Sequence, residues 1–143
     1  MDWGSNKRYQ KAIGIGECAG VVIDLIATLL FESDEKIKNA KEAINMQKWS
    51  ASIYYSYSSM VNTAKALLTA EKTKTNTHTS IIKDFNIHFI ENGRIALNSS
   101  FEDLVLQLNK NEPSEAFAIS YLTDAENFLN KVESYRKLEL THA

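Results

Sequence analysis

Apolar residues recur at steps of three and four along most of the chain, which is the spacing of an amphipathic α-helix. The first series begins near Glu17 and predicts a helix over residues 17–44. Its stripe consists of Val22, Ile26, Leu29, Ser33, Ile37, Ala40 and Ile44, with one polar break at the serine. Before it, Gly4, Gly14 and Gly16 follow no period. We therefore expect an irregular N-terminal arm or linker over residues 1–16.

The same spacing predicts two more helices in the middle of the chain, over residues 49–71 and 78–91. They are separated by a segment rich in threonine and lysine, residue types that are common in loops when they occur together. Asn92-Gly93 ends the third helix, because glycine readily adopts the left-handed conformation found after helix C-termini.

A fourth and a fifth helix complete the pattern. Ser99 and Glu102 form a capping box for the fourth, and Pro113 suits the first turn of the fifth, which ends near Arg136. Short links and the lack of alternating strand patterns predict an all-α fold, an antiparallel up-and-down bundle of about five helices. The bundle is expected over residues 17–137, with a frayed tail over 138–143.

The segment Val21–Phe31 is apolar on nearly all sides, so we expect it either at the centre of the bundle or beneath another subunit. It is interrupted by Asp24 and is too short to cross a membrane. A single cysteine, Cys18, cannot form an internal disulfide, so a reducing compartment is expected. Together these features predict a cytoplasmic protein without membrane association.

Composition narrows the possible functions. The net charge is −2, with 44% hydrophobic residues, as in an ordinary globular domain, and this balance lowers the expectation of strong nucleic-acid binding. No phosphate loop, dinucleotide fingerprint or nucleophile elbow is present, and Cys18 has no partner at metal-ligand spacing. We therefore assign no catalytic and no metal-ligating residues.

His78 is the most suggestive polar residue, because it opens a helix directly after the lysine-containing loop. A helix N-terminus with nearby lysines can hold a phosphate or another anion. Lys65, Lys72, Lys74 and His78 are therefore candidate nucleotide- or anion-binding residues. The alternative is that His78 simply caps or packs at the helix start.

Tyr54, Tyr55 and Tyr57 are grouped on the second helix and cannot all face one core, because successive helical residues diverge by about 100°. At least one of them should lie at the surface. They are candidates for a partner interface or a base-stacking surface; the alternative is that they are ordinary core and boundary tyrosines.

The stretch Ser52–Gly93 resembles HEPN domains, helical bundles named for nucleotide binding in higher eukaryotes and prokaryotes. The resemblance rests on Ile53-Tyr54-Tyr55, Thr63-Ala64-Lys65-Ala66-Leu67-Leu68, Thr77-His78-Thr79-Ser80-Ile81-Ile82, Phe85, Phe89 and Gly93. Many HEPN proteins are RNases with an Arg-x(4–6)-His motif. Here the only arginine at such spacing is Arg136, before His142, outside the expected bundle. The resemblance thus implies a HEPN fold without the RNase motif in its usual place.

A narrower resemblance concerns two other segments, residues 14–25 and 111–117. They look like the C-terminal HEPN-like extension of some bacterial sirohaem sulfite/nitrite reductases. This resemblance implies an upstream reductase domain that would carry the sirohaem and the iron–sulfur cluster, and no cofactor in this chain.

Two functional hypotheses follow. The first is a non-catalytic accessory or oligomerisation domain, forming a homo-oligomer and belonging to a reductase. The second is a nucleotide- or RNA-binding module. An enzyme acting alone on a small molecule would need a pocket that gathers several titratable groups.

Overall fold

The described part of the chain forms five α-helices. The computed structural model describes residues 3–74 and 77–142, with side chains described over 24–74 and 77–140. The helices are α1 (Trp3–Asn45), α2 (Trp49–Ala70), α3 (His78–Phe85), α4 (Phe101–Val105) and α5 (Glu115–His142). A π-helical turn, Asn86–Ile90, continues α3, and a 3₁₀ turn, Leu106–Asn109, continues α4. These residues include no strand, so the predicted all-α bundle of about five helices is confirmed.

Helices α1 and α2 form an antiparallel hairpin held by serines. The Ser52 hydroxyl donates to the Ala40 carbonyl at 3.0 Å, and the Ser59 hydroxyl donates to the Ser33 carbonyl at 2.9 Å. Small side chains allow the two backbones to approach closely enough for these bonds. The turn closes at Gln47, whose φ of 59° lets the Lys48 amide reach back to the Ala43 carbonyl.

The start of α3 lies beside the middle of α2. His78, the first residue of α3, is hydrogen-bonded to Tyr57 in the middle of α2, whereas Arg94, beyond the end of the π turn, is bonded to Glu71 just past the end of α2. Helix α3 therefore runs in the same direction as α2. This direction refines the simple up-and-down order expected from the short links.

Four phenylalanines form the centre of the core. Phe85 contacts Phe89, Phe101 and Phe128, with ring centroids 4.9, 4.6 and 5.3 Å apart. All four rings are buried, and they join α3, its π turn, α4 and α5. Aromatic pairs at these separations add to the stabilisation from burial alone.

The helix ends differ from the expected ones at four places. Pro113, expected in the first turn of α5, precedes that helix, which begins at Glu115. The structure has helix from Trp3 where an irregular arm was expected over 1–16, and α5 continues to His142 rather than fraying at 138. No proline interrupts either stretch, and isolated glycines only weaken a helix by about 1 kcal/mol each. The cap of α4 is Ser100, whose hydroxyl accepts from the Asp103 amide, so the predicted Ser99–Glu102 capping box is wrong.

Candidate functional site

A hydrogen-bonded tyrosine–histidine pair joins α2 to the start of α3. The Tyr57 hydroxyl lies 3.0 Å from His78 Nδ1, and the two rings are 5.6 Å apart. Thr77 caps α3 by accepting the Ser80 amide, which fixes the backbone on which His78 stands. Burial, and then the neighbouring Tyr54, raise the pKa of the Tyr57 hydroxyl above its usual value. The hydrogen bond between Tyr57 and His78 holds the two rings in a fixed position relative to each other.

Two adjoining cavities lie on either side of Tyr57. The first has a volume of about 410 Å³ and is mainly apolar; it is lined by Ser50, Ile53, Tyr54, Tyr57, Leu106, Leu108 and Asn109. The second measures about 140 Å³ and is more polar; it is lined by Tyr57, His78, Thr79, Ile82, Lys83, Glu102 and Leu106. Tyr57 and Leu106 line both cavities, which therefore form one surface groove between α2, α3 and the end of α4. We call it the Tyr57 groove.

The three tyrosines take three different positions. Tyr54 is 61% exposed and forms a wall of the groove. Tyr55 is half-buried, with its ring edge-on to Tyr54 at 6.0 Å and the Lys36 ammonium 5.6 Å from its centre. Tyr57 is half-buried and bonded to His78. The expectation that at least one tyrosine reaches the surface is met by Tyr54.

The predicted anion-binding residues do not converge. His78 lies in the groove, but the lysine beside it is Lys83, which the sequence did not single out. Lys65 is half-buried two turns further along α2 than Tyr57, whereas Lys72 and Lys74 lie exposed in the segment after α2. None of these three lysines lines the cavity that contains His78, although two of them are close to His78 in sequence.

Comparison with known protein families identifies the fold. Residues 26–138 match the family described as HEPN domain. The chain belongs to the HEPN family. The match begins within α1, ends within α5 and includes the residues that line the Tyr57 groove. No curated protein matches the chain.

Arg94 holds a second polar cluster in this HEPN bundle. Its guanidinium donates to the Tyr135 hydroxyl at 2.8 Å and to the Glu71 carboxylate, and it lies 4.4 Å from the centre of the Phe89 ring. Burial acts to lower the pKa of Arg94, but the bonds to Glu71 and Tyr135 outweigh it and the pKa is raised. The arginine therefore ties the ends of α2 and α5 to the π turn.

The two clusters are separated along the bundle. Tyr57 and Glu71, which mark their levels on α2, are 14 residues apart, or about 21 Å along a helix. Arg94 is thus not placed to act with His78 as an RNase pair. The side chain of His142, which follows Arg136 at RNase spacing, lies outside the described residues.

Two searches of the described residues complete the survey. No group of three or more histidine, cysteine or carboxylate side chains in this part of the chain could hold a metal ion. No helix among the residues searched is long and apolar enough to cross a membrane.

Proposed function

We propose that this chain is a HEPN-type accessory module that self-associates and has no catalytic set of its own. The observation that carries the proposal is the exposure of large apolar side chains on α1. Phe31 is 63% exposed, Leu25 is 45% exposed, and Thr28 between them is exposed as well. Phe31 is the more exposed of the two large side chains, and we take it as the centre of an interaction surface on this helix.

The geometry of α1 explains why Phe31 is exposed. Ile26 and Leu29 of the same helix are buried against Ala66 of α2. Phe31 is five residues beyond Ile26, which turns it about 140° away from that buried face. HEPN domains often oligomerise, so a second copy of the chain is the partner we assign to this face.

Light scattering after size exclusion tests the proposal. The wild-type chain is expected to elute as a dimer or larger, and Phe31→Glu should shift it to the monomer, because a buried unpaired carboxylate opposes association. Ile119→Glu is the matched control, since Ile119 is as exposed as Leu25 but lies on α5. A wild-type monomer at high concentration, or an equal shift by both variants, would contradict the assignment.

The finer part of the proposal is that the module belongs to a sulfite/nitrite reductase. Its support is the resemblance of residues 14–25 and 111–117 to the extension of such enzymes. The upstream domain would then bind the sirohaem and the iron–sulfur cluster. The coding sequence upstream tests this directly: an open frame encoding a reductase with four cluster cysteines is expected, and an unrelated or absent upstream frame would refute it.

A second candidate function is nucleotide or RNA binding in the Tyr57 groove. It is favoured by the exposed ring of Tyr54, which could stack on a base, in the same groove as His78. Titration with adenosine monophosphate and with a short oligouridine tests it. Binding should weaken as salt rises and in His78→Ala. No binding of either probe at low salt would remove this function.

A further inference from the structure

The Tyr57 groove has an aromatic end and a charged end, and no segment of the described chain occupies either. At the aromatic end, Tyr54 and Tyr57 face a cavity whose remaining walls are mainly aliphatic, from Ile53, Leu106 and Leu108. Its volume of about 410 Å³ lies within the range of small-molecule sites, which are mostly apolar with a few placed polar groups. This end suits a flat aromatic ring.

The charged end presents both signs of charge to one small cavity. Lys83 from α3 and Glu102 from α4 line it together. Neither residue forms an ion pair in the part of the chain described here, although they share the cavity. When the Tyr57 hydroxyl donates to Nδ1 of His78, the ring proton is on Nε2, which can then donate to another partner. A cation acceptor and two donors are therefore available beside the aromatic cavity.

These two ends define the chemistry of a ligand. An aromatic ring alone would leave Lys83 and Glu102 unused, and a simple anion or cation would match only one of them. A molecule with an aromatic ring, a carboxylate and an ammonium matches all three features at once. That combination is an aromatic α-amino acid in its zwitterionic form.

We propose that the Tyr57 groove binds an aromatic amino acid, with its ring between Tyr54 and Tyr57, its carboxylate at Lys83 and His78, and its ammonium at Glu102. The site is on α2, α3 and α4, away from the outer face of α1. It is therefore independent of the self-association proposed above, and a ligand could occupy it in the monomer or the oligomer.

Titration of the isotope-labelled full chain with L-tryptophan, followed by NMR, tests the proposal. A ligand of this size bound at ordinary efficiency should have a Kd of about 0.5 mM. The amide shifts should concentrate at the groove residues. Indole, which lacks both charges, and glycine, which lacks the ring, should each bind at least about tenfold more weakly.

Three variants assign the roles within the groove. Tyr54→Ala should reduce affinity by about tenfold through the loss of stacking. Lys83→Met and Glu102→Gln should each reduce it by about two- to fivefold, as expected for exposed ionic contacts. Lys74→Met and Glu133→Gln are matched controls on exposed positions outside the groove, and should leave the affinity unchanged. The three replaced side chains are exposed, so the fold should survive each change.

Several results would overturn the proposal. The first is the absence of any shift with tryptophan at ten times the expected Kd. The second is equal affinity for indole and tryptophan, which would show that the charges play no part. The third is equal loss of affinity in Lys83→Met and Lys74→Met, because the charge would then act without the groove.

Discussion

The serines between α1 and α2 allow a sharp prediction, because three of them are equally buried but differ in their hydrogen bonds. Ser52, Ser56 and Ser59 are all fully buried on the same side of α2. The hydroxyls of Ser52 and Ser59 donate to α1 carbonyls, whereas the Ser56 hydroxyl has no hydrogen-bond partner among the described residues. Replacing a bonded serine by alanine should therefore lower the free energy of unfolding, whereas replacing Ser56 by alanine should raise it.

The hydrogen bonding of each serine sets the expected change in the free energy of unfolding. Ser59→Ala removes one bond to a carbonyl that also accepts within its own helix, at a cost of about 1 kcal/mol. Ser56→Ala removes a buried hydroxyl that lost its water without gaining a partner, which should stabilise by about 1 kcal/mol. Alanine favours the helix by about 0.5 kcal/mol in both variants. The two should then differ by about 2 kcal/mol, with Ser56→Ala the more stable.

Urea unfolding followed by circular dichroism measures this difference. Ser58→Ala, at a half-buried position on the same helix, is the control for helix propensity and should stabilise by only about 0.5 kcal/mol. In thermal unfolding the two buried variants should differ by about 6 °C. If Ser56→Ala is destabilising, or equals Ser59→Ala, then the cross-helix hydroxyl bonds do not determine the stability of this seam.

Three further changes test other parts of the fold by the same unfolding measurement. Arg94→Lys should lower the free energy of unfolding by about 1–2 kcal/mol, because an ammonium cannot bond Glu71 and Tyr135 at once while it stacks on an aromatic ring. An unchanged unfolding midpoint would show that the cluster does not stabilise the fold. Gly93→Ala should cost about 1 kcal/mol for its φ of 76° alone, because nothing lies within 4 Å of the added carbon, and Gly93→Asn should cost less. Phe85→Ala should cost about 3–5 kcal/mol and Phe85→Leu clearly less, and similar losses would mean that the aromatic contacts matter little.

Helix α2 shows what the sequence pattern predicts well. The helix was expected over 49–71 and lies at Trp49–Ala70, because its stripe of buried residues keeps one spacing throughout. Helix α3 was expected over 78–91, and its start at His78 agrees. Its continuation as a π turn keeps Phe89 in the core and stacked on Phe85, so the apolar spacing alone did not reveal the change of helix type.

The cap of α4 shows where local patterns fail. Two adjacent serines could each cap the helix, and the sequence favoured the one followed by glutamate at the third position. The structure uses Ser100, and the Asn86 side chain accepts the Phe101 amide at 2.8 Å. That contact comes from a segment 15 residues away, so a tertiary bond helps decide which serine caps.

The groove depends even more on tertiary structure. The pattern singled out Tyr57 and His78 separately, but their contact depends on the start of α3 lying beside the middle of α2. Lys83 and Glu102 are ordinary charged positions in the sequence. They line the same cavity only because α3 and α4 pack side by side. Arg94 was considered only for RNase spacing, and its partners lie 23 and 41 residues away.

The central claim is that the chain is a self-associating HEPN module. Sedimentation equilibrium of the wild-type chain and of Phe31→Glu, over a hundredfold range of concentration, tests it most directly. The wild-type mass is expected to rise from the 16.1 kDa of one chain towards twice that value or more, and the variant should stay at the mass of one chain. A wild-type mass that remains at one chain throughout the range would contradict the claim.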